Sequence, residues 1–341
     1  MRRGVSIILI CALAASVFTS CSGVQETDGV PASSAKRTSA ASASGTSSDA
    51  SDTQYANEFD PHVYPSIYEE NFDGKTKESF FSLCDAMLAG EDEFVCEDDV
   101  MFYTVVFTIA HQCFPLVELM GDGWTVKDGK AHINYSLPKD QYLQKAEEFK
   151  SLTVSILDEC IKPGYDDTDK ALSVYSYFVT HYTYDYDALG DDVKGLSSYR
   201  LLTERKGICQ EIAPAYAYIL LQAHVDCTTC GSLNDINEAH EWALAKLDGE
   251  YYHIDPTFGI NEPGSLRYFG MTDEERQNQG GWNITILNYG NANIFDDSGK
   301  YSADSRRFEA LWTAVNCDTD YETNTVRYFR DGENEQYEFT Y

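Results

Sequence analysis

The chain has 341 residues, 43% of them hydrophobic, enough for one sizeable core and an accessory region. Its formal charge is −31, with 56 acidic against 25 basic side chains. That balance excludes a phosphate backbone as partner, because nucleic-acid binding is driven by lysine and arginine displacing counterions, and it argues for solubility without arguing for a fold.

The first residues read as a targeting segment. Arg2 and Arg3 precede an apolar run from Val5 to Val17 and then small residues before Cys21, the pattern of a secretory signal and not of a membrane span. Phe18-Thr19-Ser20-Cys21 resembles a bacterial lipobox, which implies cleavage before Cys21 and lipidation of its thiol. Residues 1–21 are therefore expected to be a lipoprotein signal, and the expected location is an extracytoplasmic membrane face reached through this lipid anchor. From 22 to 58 serine, alanine and threonine dominate; with little to bury, such a tether cannot offset its ordering entropy.

Ordered sequence is expected from Phe59. Residues 78–120 read as mostly helical, and GWTVKDGKAHINYSL places two alternating runs around Asp128-Gly129, a hairpin signal. A helix is predicted from Asp140 to Cys160, closing an N-terminal accessory region of residues 59–160. A second helix begins at DKALSVYSYFVTHYTY, capped by Thr168 or Asp169, with Leu172, Tyr175, Phe178 and Val179 on one face. Residues 161–275 are read as the functional core, and 276–341 as a β-rich extension.

Within that core, GICQEIAPAYAYILLQAH places Cys209 at the start of an amphipathic helix bearing Ile212, Tyr216, Ile219, Leu220 and Ala223 on one face. Pro214 is tolerable only near a first helical turn. Downstream, in AHEWALAKLDGEYYHIDPTFG, two aromatic and aliphatic runs flank Asp248-Gly249, predicting a hairpin with a two-residue turn. If Leu247 faces Glu250, Trp242 faces Asp255 and His240 faces Thr257. His240 and Asp255 then form a diagonal pair on one sheet face, with β-carbons about 7–8 Å apart. A slip of one residue would separate them. A nucleophilic thiol needs a histidine to take its proton and an acid to orient that histidine, and a thiol at a helix start gains from the helix dipole. On the same face His253 is expected to pack, while Trp242 and Tyr251 wall the site; Tyr252 and Ile254 point into a core, and His224 closes the cysteine helix.

Cys227-Thr228-Thr229-Cys230 has the spacing of half a zinc or redox site, but no second such pair accompanies it, so neither metal nor cofactor is expected. The remaining cysteines of the expected mature domain, at 84, 96, 113, 160, 227, 230 and 317, are odd in number and leave any pairing open.

These blocks resemble the core of the transglutaminase-like superfamily, whose motif runs roughly G-V-C-x-G-x-A…H-A-W-N-x-V-x-L-D-G-x-W-Y-x-V-D-P-T. They match in order from about Ser198 to Phe258, with further support through RYFGMTDEER. Glu211 and Ala243 depart from the glycine and asparagine usual at their positions. The resemblance implies an α+β, papain-like core in which an antiparallel sheet packs on the cysteine-bearing helix, beside a smaller N-terminal helix and hairpin region. It implies a Cys209–His240–Asp255 triad acting on peptide or protein amides through a thioester, cell-wall peptide among the substrates considered. Tyr184, Tyr186, Gln210 and Trp242 are candidates for substrate or oxyanion contacts, the main-chain N–H of Cys209 being the first oxyanion donor. Hydrolysis is preferred over cross-linking to an amine, since the chain shows no additional β-sandwich domains; a surface binding module that keeps the fold without turnover is the alternative from another class.

Overall fold

The computed structural model describes residues 56–189, 195–232, 240–280, 285–286 and 299–341. The signal, Cys21 and nearly all of the tether lie outside these residues. The chain begins with α1 (Ser66–Asn71) and α2 (Gly74–Ala89), whose cap Gly90 adopts φ 66°. That left-handed glycine ends the helix, and the next segment alternates exposed, buried, exposed as β1 (Glu93–Val95), with Phe94 turned inward. This short strand interrupts the mostly helical stretch expected over 78–120. After β1 come α3 (Asp99–Thr104), a π-helical turn (Val105–Ala110), α4 (His111–Cys113) and a 3-10 turn (Pro115–Leu119).

The hairpin β2 (Met120–Lys127) and β3 (Lys130–Tyr135) forms as the sequence predicts. Asp128 and Gly129 both take positive φ, 53° and 78°, the geometry of a tight hairpin turn, and β1 adds to β3 to complete a three-stranded sheet.

Then follow α5 (Lys139–Cys160) and α6 (Asp167–His181). The cap of α6 is Asp166 and not Thr168 or Asp169: its carboxylate accepts from Asp169 N–H at 2.8 Å, while the Asp169 carboxylate reaches back to Asp166 N–H at 3.2 Å. Asp169 thus serves in the reciprocal box from inside the helix.

The core is organised around α8 (Cys209–Gln222), preceded by β4 (Thr183–Tyr184), α7 (Ser198–Glu204) and β5 (Lys206–Gly207). Every α8 residue except Gln210 is buried, so the one-sided apolar face expected from sequence understates it; a helix apolar all round belongs inside. Tyr216 ties it to α6 by donating to the Ala171 carbonyl at 2.9 Å. Across its other side lies the antiparallel sheet β8-β7-β6-β9, formed by β6 (Cys227–Ser232), β7 (His240–Leu247), β8 (Glu250–Ile254) and β9 (Thr285–Ile286). The β7–β8 register is the predicted one, Leu247 opposite Glu250 through Ala243 opposite Ile254, with Asp248 and Gly249 again at positive φ.

After β8 the chain forms α9 (Pro256–Ile260) and α10 (Asp273–Asn278), which spans the expected boundary at residue 275. A three-stranded antiparallel sheet of β10 (Ala314–Asp320), β11 (Thr325–Arg330) and β12 (Gln336–Thr340) closes the fold, which is α+β.

Candidate active site

Cys209 is the first residue of α8, after Ile208 in extended conformation, and is 5% exposed. Glu211, where the resemblance expects a glycine, ties this corner together. Its carboxylate is fully buried and accepts from Ile208 N–H at 3.1 Å, Ser197 N–H at 3.0 Å and Arg200 Nη1 at 2.7 Å, tying the start of α8 to α7. Arg200 is held from its other side by Asp185. Pro214 sits within α8, where its missing N–H leaves the Gln210 carbonyl without the usual helical donor.

The main-chain N–H groups of Glu241 and Gln210 act on the Cys209 thiol in favour of its ionised form, which sets the thiol near the start of β7, by the residue that follows His240. Burial first, then the Glu241 charge, push the thiol up to about 12. The helix dipole, expected to favour thiolate, is outweighed by desolvation here.

The predicted histidine–acid pair is in direct contact. His240 Nε2 lies 2.7 Å from Asp255 Oδ2, and both side chains are buried. Asp255 leaves the sheet just past the last β7–β8 rung and caps α9, its Oδ1 accepting Phe258 N–H at 3.2 Å. The imidazole stacks on Phe258, ring centres 4.6 Å apart and planes within 16°. Burial would push the Asp255 carboxyl up, yet its contacts with His240 and Arg276 and the Phe258 N–H bond it accepts hold it below its ordinary value.

Arg276, on α10, is the site residue that sequence reasoning missed. It is fully buried, places Nη2 3.0 Å from the same Asp255 Oδ2, and lays its guanidinium over the Trp242 ring at 4.3 Å. The segment RYFGMTDEER contained it, and Thr272 with Glu275 three residues on signals a helix start, but no spacing rule links it to Asp255.

Trp242 is fully buried against this cluster and does not present a surface to solvent. Its Nε1–H donates to His253 Nδ1 at 2.9 Å, so His253 carries its proton on Nε2, 2.8 Å from Asp273 Oδ1. His253 packs as expected, and burial holds its pKa below the ordinary value. Cys230 Sγ lies 3.5 Å from His253 Nδ1, whereas Cys227, three residues earlier on β6, faces the opposite side of the sheet. Among the described residues no cluster could hold a metal, and their cysteines are all free.

The remaining candidates divide. Tyr184 pairs with Gly207 across the parallel β4–β5 ladder, two residues before Cys209; Tyr186 is 61% exposed and meets Tyr184 edge to face at 4.9 Å. Gln210 is half-buried in the first turn of α8. Tyr251 does not join the site: it packs on Tyr301 and under Lys246. His224 follows α8 at φ 61°, as a helix-ending residue.

Comparison with known proteins gives a family match over part of the chain. Among curated proteins no match was found. Solved structures similar to it include a protein from Cytophaga hutchinsonii inferred to be a cysteine protease, at 18% identity and TM-score 0.27, covering 31% of this chain and 37% of that one. A TGase matches at 14% identity and TM-score 0.28, covering 40% of this chain and 43% of that one. A protein from Parabacteroides distasonis inferred to be a protease matches at 12% and 0.26, covering 39% and 35%. The chain thus spans well under half the length of these solved structures. The family model that matches is the transglutaminase-like superfamily, over residues 154–256, the segment that contains Cys209, His240 and Asp255.

Proposed function

We propose that the protein is a cysteine enzyme that cleaves amide bonds of peptides or proteins through a thioester on Cys209. The observation that carries this reading is the 2.7 Å contact of His240 Nε2 with Asp255, with Cys209 at the start of α8 under the influence of the Glu241 main chain, the residue next to His240. With Nε2 engaged by the acid, His240 Nδ1 is the atom that takes the thiol proton. The sulfur attacks the amide carbonyl, His240 returns the proton to the departing amine, and a thioester remains. Water, deprotonated by the same imidazole, attacks the thioester; the acid leaves and the thiol is restored. The main-chain N–H of Cys209 is the first donor to the oxyanion, and Tyr184, paired with Gly207 beside the start of α8, and Gln210, next to Cys209 in the chain, are the candidates for a second.

Transfer to an amine would use the same thioester, and hydrolysis is the reading adopted. In the full chain we further propose that Cys21 is lipidated and holds the domain at an extracytoplasmic membrane face; among the described residues no helix is long and apolar enough to cross a membrane.

A thiol-reactive amide or ester probe tests the chemistry. Rapid labelling at Cys209, abolished by His240→Ala, supports the enzyme; labelling no faster than free cysteine sinks it and leaves a binding module. Mass spectrometry of a peptide library, with and without a primary amine, decides the acceptor. Chain cleavage supports hydrolysis, and amine incorporation at glutamine with ammonia release would replace it by transamidation. Incorporation of a fatty-acid analogue, lost in Cys21→Ala, tests the anchor.

A further inference from the structure

We propose that Arg276 is a positioning residue of this site: through Asp255 Oδ2 it holds the His240 ring in the orientation in which it serves Cys209. This rests on the reading of Cys209 and His240 given above, and adds a fourth residue that lies outside the matched segment 154–256.

The geometry is specific. Asp255 Oδ2 receives His240 Nε2 at 2.7 Å and Arg276 Nη2 at 3.0 Å, while Oδ1 is taken by Phe258 N–H at 3.2 Å. Three donors on two oxygens leave the carboxylate no freedom to swing, so the direction of the imidazole is set by the guanidinium. The same guanidinium lies over the Trp242 ring at 4.3 Å and the Phe258 ring at 5.2 Å, and Phe258 is also the ring on which His240 stacks. Arg276 and His240 are thus located against one another by a shared oxygen and a shared aromatic ring. An ammonium could satisfy the charge but not the planar stack.

The arginine is itself pinned. Met271, just before α10, exchanges both main-chain hydrogen bonds with His253 at 2.9 Å, and Asp273 of α10 holds His253 Nε2 at 2.8 Å. His253 in turn accepts from Trp242, the ring beneath the guanidinium. A buried ion pair that served stability alone could be replaced by apolar residues of like volume without loss. Here that replacement would release the acid that orients the base.

The test uses the full chain. In Arg276→Ala, first checked as folded by circular dichroism, the alkylation rate of Cys209 by iodoacetamide, resolved by peptide mapping, should fall about ten- to hundredfold. Guanidinium at sub-denaturing concentration should restore a large part of it, and urea or potassium chloride at equal concentration should not. The low-field proton resonance of the His240 Nε2–H to Asp255 bond should disappear in the variant and return with guanidinium. If the alanine variant does not fold, Arg276→Met, which keeps the stem volume, takes its place with the same expected loss. A folded variant with wild-type alkylation and an unchanged low-field resonance overturns the proposal. If wild-type Cys209 reacts no faster than free cysteine, the proposed function fails instead, and the resonance still tests the grip of Arg276 on Asp255.

Discussion

Replacing Glu211 tests how the Cys209 corner is held. The carboxylate meets three donors: Oε1 accepts Ser197 N–H at 3.0 Å, and Oε2 accepts Ile208 N–H at 3.1 Å and Arg200 Nη1 at 2.7 Å. All three are lost in Glu211→Ala, although Arg200 keeps Asp185 and Glu204 as partners. Breaking a buried ion pair on one side costs about 3–5 kcal/mol, and the surviving partners of Arg200 place the expected loss toward 3. Glu211→Gln is not benign either. Its amide oxygen can keep Ile208 and Arg200, but its NH2 then faces the Ser197 N–H, a donor against a donor, at a cost of about 2 kcal/mol. Against a typical total of about 5–15 kcal/mol both effects are large. Urea unfolding reads them as shifts of midpoint at constant slope. A double-mutant cycle with Arg200→Met should return a coupling above about 1 kcal/mol. A loss below about 1 kcal/mol in Glu211→Ala, or a neutral Glu211→Gln, would refute the account.

Other outcomes follow from the same structure. Trp242→Phe removes the Nε1–H that His253 Nδ1 accepts at 2.9 Å and should cost about 1–2 kcal/mol in urea unfolding; an unchanged midpoint would remove that bond from the argument. Buried His253 has its folded pKa lowered, so the unfolded chain takes up its proton first; stability should be full above about pH 6.5 and fall as pH drops below it. His111, pushed down to about 4 by burial, adds to that slope, and His253→Gln should flatten it in unfolding measured from neutral to mildly acidic pH. Gly270 has φ 67°, and a Cβ there would lie 2.4 Å from the Phe308 ring; Gly270→Ala should cost about 2–3 kcal/mol, and a thermally unshifted variant would contradict the packing.

What the sequence disclosed was what local chemistry encodes. Asp128-Gly129 and Asp248-Gly249 each set a hairpin, and a two-residue turn fixes register, so the approach of His240 to Asp255 was legible; the counted pairs Trp242–Asp255 and His240–Thr257 do not form, because the ladder ends at Ile254 and Asp255 meets His240 as the cap of α9. The start of the cysteine helix was legible for the same reason. The strand Glu93–Val95 was hidden because it is three residues long and owes its existence to pairing with a distant hairpin. The full burial of α8 escaped a periodicity reading, since alanines and Tyr218 on its other sides are buried by neighbours that only the tertiary fold supplies. Arg276 was invisible because the wish of a buried carboxylate for a cation leaves no spacing in the chain. Glu211 was seen as a departure from a pattern; its three partners were not.

The hairpin that joins His240 to Asp255 also bears on the order in which the molecule assembles. The two residues are close in the chain and meet around a tight turn, so their union closes a short loop, whereas Cys209 reaches them only when α8 docks on the sheet and Arg276 only when α10 does. His240 and Asp255 are therefore expected to meet early, and Cys209 to join them last. Alkylation pulses during refolding should find Cys209 with ordinary thiol reactivity until native packing is complete; early enhancement would contradict this order. An unfinished chain accordingly carries a cysteine of ordinary reactivity, and any enhancement at Cys209 is expected only with the finished fold.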